Sequence, residues 1–225
     1  MQYHIDTGLI YEKFKEDCEC PLCEIEKKVT EQFIHEFLND AVMEDNSRIK
    51  VGEKGFCEKH FDMLFSRKNK LSVALQTGTR AEKIAPLFTP VKSASAAKKR
   101  AKEIENAFSR CVICDLVEES MTKYYKTVAQ MFVYEKEFYK ILFAGKGFCA
   151  HHYAELLKYS ASAGFAAKNY LAALSTVQER NFKRLQTELK DFCDSHDYRN
   201  AYKPLGNAET ALPRMRTKFY GEKQE

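Results

Sequence analysis

A chain of 225 residues, 44% of them apolar, is long enough to bury one or two cores. Nine glycines and five prolines are too few for the turns of an all-β fold and point to long helices. A net charge of +4 excludes the strongly basic surface of a general nucleic-acid binder, and no apolar run approaches the ~18 residues of a membrane span.

The segment Met1–Gly8 has no basic start, apolar stretch or cleavage site, so no signal peptide is expected and the protein is expected in the cytoplasm. Thiols stay reduced there, and cysteine pairs then signal metal or redox chemistry rather than structural disulfides. The first pair is Cys20-Pro21-Leu22-Cys23. Pro21 suits the first position of a helix and makes Cys20 its cap. Leu22, Ile25, Val29, Phe33 and Phe37 follow at helical spacing, as a core-facing stripe does.

Gly55-Phe56-Cys57-Glu58-Lys59-His60 comes next. Gly55 permits a turn, Cys57 caps a new helix, and Phe56 with Phe61 occupy the two positions of a hydrophobic staple. Pro86 to Ser95, with prolines at 86 and 90, reads as a connector. Beyond it Ala97, Ala101, Ile104 and Phe108 make a second apolar stripe. The neighbouring Lys98-Lys99-Arg100-Ala101-Lys102 run reads as a solvated helix face.

The pattern then recurs. Cys111-Val112-Ile113-Cys114 lies about ninety residues after the first pair, and Gly147-Phe148-Cys149-Ala150-His151-His152 answers it, with Phe148 and Tyr153 as the staple. Between them Val128, Met131, Phe132, Phe138 and Leu142 form a less regular stripe. A long one (Ala167, Tyr170, Leu174, Val177, Leu185, Leu189) predicts a helix from near Ser162 to Asp191. The expected plan is all-α, with two tandem helical repeats at 1–85 and 105–195, a linker and connecting helix at 86–104, and a flexible tail at 196–225 that shows no apolar period.

The two copies of CxxC…GFCxxH have 33 and 34 residues between their second and third cysteines. Residues i and i+3 of a helical first turn share a face, so each CxxC or CxxH presents two ligands to one point. Three thiols and one imidazole are a set that holds tetrahedral zinc. The expected ligands are Cys20, Cys23, Cys57 and His60 in one copy, and Cys111, Cys114, Cys149 and His152 in the other, with two structural zinc ions. Six thiolates and two dications would bring the net charge to about +2. His152 is chosen over His151 because Lys59 stands where His151 would be. Iron–sulfur is the lesser alternative, since such clusters usually take four thiolates. Cys18 and the Cys193/His196 pair have no counterparts and are read as spare.

With these four motif blocks the chain resembles a family of uncharacterised proteins from anaerobic Gram-positive bacteria, marked by ECPxC or CPLC, GFCxxH, a second CxxC and a second GFCxxH. The resemblance runs to about residue 195 and implies a domain of unknown function. Some members are called ABC-transporter substrate-binding proteins, which fits poorly with the absence of an export signal or lipoprotein leader. The sites would be closed by four protein ligands. The favoured function is therefore a non-enzymatic module that binds a protein partner, with no nucleic acid and no membrane span. The alternatives are a thiol-based redox or metal sensor, with Cys18 beside Cys20 as its motive, and a metal-dependent enzyme with a site between the repeats.

Overall fold

The computed structural model describes residues 7–197 and 204–222. The expectations for residues 1–6, and for the parts of the tail at 198–203 and 223–225, lie outside the described residues. The structure is all-α, and no strand occurs among the described residues. No helix there is long and apolar enough to cross a membrane. The helices are α1 (Gly8–Lys15), α2 (Pro21–Leu38), α3 (Asp45–Lys54), α4 (Glu58–Ser66), α5 (Lys70–Ile84), α6 (Ala94–Phe108), α7 (Val112–Tyr134), α8 (Lys136–Ala144), α9 (Ala150–Lys158), α10 (Ala167–Ser195) and α11 (Ala211–Tyr220).

Helix starts follow the local chemistry of the sequence. Pro21 opens α2, and Cys57 and Cys149 cap α4 and α9. Ser93 caps α6 by accepting the Ala96 N–H, and Asn69 caps α5 by accepting the Ser72 N–H. α5 ends at Ile84, where Pro86 lacks the N–H that would continue it.

The chain divides into two compact units, with boundaries inside α2 and α7. The first joins the residues up to Lys27 to those from Met121 onward. Its core contains Ile10, Phe14, Val128, Met131, Phe138, Leu142, Leu156, Tyr170, Leu174 and Leu185, all buried. Phe14 of α1 meets Phe138 of α8 at 5.1 Å between ring centroids and Phe148 at 6.0 Å. The second unit is Lys28–Ser120. There Ile34, Phe37, Leu38, Val51, Leu64 and Val73 are buried, and Phe56 packs edge-on against Phe37.

Two expectations need correction. α6 forms, but none of its residues is buried, and Phe108 is 58% exposed. Helical spacing reveals a face without revealing whether anything covers it. The tail expected to be flexible contains α11, with Ala208, Ala211 and Met215 buried at steps of three and four residues. Lys218 is buried as well, because its ammonium finds carbonyl and carboxylate partners rather than water.

Candidate metal centres

The structure gathers the eight expected residues into two groups, but in crossed combination. Cys20 and Cys23 meet Cys149 and His152, all in the first unit. Cys57 and His60 meet Cys111 and Cys114, all in the second. Each CxxC pairs with the GFCxxH of the other copy, and the within-copy pairing is corrected. α2 begins in the first unit and ends in the second, and α7 begins in the second and ends in the first, so the CxxC and the GFCxxH of one copy fall in different units.

Within each cluster the ligand atoms lie within 4.8 Å of one another. In the first, His152 Nδ1 stands 3.4 Å from Cys20 Sγ, 3.4 Å from Cys23 Sγ and 3.2 Å from Cys149 Sγ. In the second, His60 Nδ1 stands 3.3 Å from each of the Cys57, Cys111 and Cys114 sulfurs. Bonds of ~2.3 Å to sulfur and ~2.05 Å to nitrogen give a tetrahedron sulfur–sulfur edges of ~3.8 Å and sulfur–nitrogen edges of ~3.6 Å. The Cys23–Cys149 and Cys57–Cys114 separations of 3.7 and 3.8 Å match the first edge. The imidazole distances fall slightly inside the second. Each cluster could hold a metal ion, and soft sulfur with one nitrogen is the donor chemistry of such a site.

Charge differs between the two clusters. Hydrogen bonding to Cys149 and Cys20 pushes the Cys23 thiol up, while contact with Cys20 and Cys23 pulls Cys149 down. Burial opposes charge on His152, but Cys149 and Cys20 outweigh it and raise His152 to about 10. A bound divalent cation would favour the thiolate form of these sulfurs and the neutral form of the ring. In the second cluster burial, then Lys59, holds His60 down at about 4, and burial raises Cys111 and Cys114.

The ligands sit at four helix starts, where free N–H groups favour thiolate. His152 N–H donates to Cys149 Sγ at 3.5 Å. Positive φ values at Gly55 (67°) and Gly147 (85°) turn the chain into α4 and α9. A Gln178 amide clasps the second GFC loop, donating to Phe148 O and accepting its N–H at 2.9 Å each. Arg80 holds the segment ahead of the first loop by donating to Gly52 O and Glu53 O.

The chain matches a described family. The model of a family of unknown function, DUF6062, covers residues 1–225. The chain belongs to DUF6062. No curated protein and no solved structure matches it.

Several residues of this DUF6062 chain at the first cluster carry no motif. Glu222 N–H donates to Cys23 Sγ at 3.5 Å, and a Cβ on Gly221 would stand 3.3 Å from that sulfur. Glu26 Oε2 lies 3.5 Å from His152 Nε2 and Tyr125 packs on the ring, so both orient the imidazole. Glu19, 5% exposed, accepts two 2.8 Å bonds from Arg184 and one ion pair of 3.1 Å from Lys218. Lys218 also donates to Glu19 O and Lys146 O. The only available signal was Glu19 itself, placed directly before the first CxxC.

The spare residues stay apart from the clusters. Cys18 is half-buried, and burial pushes its thiol up to about 12. His151 is exposed, its ring 5.2 Å from that of His152. Cys193 is exposed, and His196 Nδ1 lies 2.9 Å from Phe192 O.

Proposed function

We propose that the protein is a non-enzymatic helical module in which each cluster holds one structural zinc ion and an exposed helix face docks a protein partner. The observation that carries the zinc reading is the gathering of three sulfurs and one nitrogen within 4.8 Å of one another, found twice. Four protein ligands leave no open position for water or substrate, the mark of a structural rather than a catalytic site. When bound, zinc would supply a fixed link between two helix starts: α2 and α9 in the first cluster, α4 and α7 in the second.

The partner reading rests on α6. Ala97, Ala101 and Phe108 are exposed along one stripe, beside exposed Lys98, Lys99 and Lys102. An apolar stripe with a charged border is a surface that a partner can cover. All eight cysteines are free, which supports a reducing compartment such as the cytoplasm.

Metal analysis with X-ray absorption on protein purified without added metal tests the zinc reading. Two zinc ions per chain, each with three sulfur and one nitrogen ligands, support it. A bound water in place of a protein ligand favours a metal-dependent enzyme, and a stably folded, metal-free protein overturns the reading. A photo-crosslinker near Phe108 tests the partner: one defined protein adduct, abolished by Phe108→Asp, is expected.

A further inference from the structure

The clusters offer the same donors at the same spacing but differ in access. In the first, Cys20, Cys23 and Cys149 are 0%, 4% and 1% exposed. Gly221 and the Glu222 N–H stand over Cys23, and the Glu19–Lys218 contacts tie the segment carrying them to the residue before Cys20. In the second, Cys111 is buried, Cys57 is half-buried and Cys114 is exposed. Their sulfurs, Cys57 Sγ and Cys114 Sγ, stand 3.8 Å apart.

We infer that Cys57 and Cys114 form an oxidation site, joined by peroxide into a disulfide that dismantles the second cluster while the first stays intact. This rests on the zinc reading above. The Cys114 thiolate attacks one oxygen of hydrogen peroxide. The O–O bond breaks, hydroxide leaves, and Cys114 becomes a sulfenic acid. The Cys57 thiolate then attacks the Cys114 sulfur, forming the S–S bond and expelling a second hydroxide. Two protons from solvent turn both hydroxides into water. The two thiolates together lose two electrons, and peroxide gains them.

The sulfurs must close from 3.8 Å to ~2.05 Å. Little opposes this at Cys57, whose side chain makes no capping hydrogen bond to α4. Only Cys111 and His60 remain as donors, too few to retain the ion. The Val112 N–H to Gly55 O bond, at 3.0 Å, still ties the two helix starts, so the cluster opens without releasing the backbone. Cys23 and Cys149 are as close, at 3.7 Å, but peroxide must first pass the residues that bury them. Access, not sulfur spacing, decides which cluster reacts.

The experiment treats the full-length, two-zinc protein with hydrogen peroxide. Released zinc is followed with a chromophoric chelator, and cysteines are mapped by alkylation and peptide mass spectrometry. Exposed Cys193, outside both clusters, sets the oxidant dose. One ion should leave per chain, with a Cys57–Cys114 cross-link, at a rate on the order of ten times that of the second ion. Loss of both ions together, or cross-links among Cys20, Cys23 and Cys149 at equal dose, overturns the inference. So does retention of both ions at doses that oxidise Cys193. Absence of zinc before peroxide is added instead refutes the zinc reading, so the two failures are distinguishable.

Discussion

In the first cluster every ligand side chain is buried, and Gly221 and two backbone N–H donors, those of Glu222 and His152, stand at the sulfurs. In the second, with the same three sulfurs and one imidazole, Cys114 faces solvent. Ligand identity therefore sets what ion a site accepts, and the residues beyond the ligands set how tightly it is kept. The largest effect should come from testing that difference directly. Cys149→Ala should remove one ion and cost on the order of 4–5 kcal/mol or more, since it also leaves buried donors unpaired. Cys114→Ala should remove one ion at roughly half that cost. Metal content and denaturant unfolding of both variants check this, and equal costs would erase the distinction.

The ion-pair network at Glu19 sharpens the comparison next. Arg184→Met removes the bidentate partner of a buried carboxylate and leaves Lys218 and Arg214 to hold it. A loss of about 3 kcal/mol is expected, the low end for breaking a buried pair. The Glu19→Leu/Arg184→Met double variant should not recover it, because the buried Lys218 ammonium then lacks its carboxylate partner. A single variant as stable as the parent would show that the network does not tie α10 to the first cluster.

Gly221 tests the cover over Cys23 with a smaller change. Its φ of 79° and ψ of 176° are a region only glycine adopts without strain, and a Cβ would stand 3.3 Å from Cys23 Sγ. Gly221→Ala should cost about 1–3 kcal/mol and speed zinc loss from the first cluster only. Chelator competition, with alkylation mapping of which cysteines become reactive, reads this out. Unchanged kinetics at the first cluster would mean that the C-terminal segment lies over the sulfurs without protecting them.

What could be read in the chain follows the range of each interaction. Cys20 and Cys23, or Cys149 and His152, are neighbours on one helical turn, so spacing alone assigns them to a common point. Which pair meets which depends on where α2 and α7 deliver the chain, and the matching gaps of 33 and 34 residues suggested closure within a copy. The opposing fact, that α2 and α7 each pass from one compact unit into the other, is tertiary. α11 was hidden for another reason. Lys218 contributes to burial through its partners rather than its hydropathy, and a stripe of Ala208, Ala211 and Met215 is short and weak beside its charged neighbours. The α6 stripe was legible as a pattern, but its exposure is a tertiary fact.

The smallest expected effect separates two adjacent histidines. His151 and His152 stand side by side at the start of α9, but only the buried His152 aims a nitrogen at three sulfurs. His151 is exposed, and its place in the other copy is taken by Lys59, which cannot replace an imidazole ligand while charged. Alanine is the better helix former at an exposed helical position, which offsets the lost contact with the His152 ring. His151→Ala should therefore keep two ions and stay within about 0.5 kcal/mol of the parent, while His152→Ala should lose the ion of the first cluster. If His151→Ala instead lost an ion, the paired motifs would have misassigned the ligand, and the buried ring of His152 would need another explanation for its three sulfur neighbours.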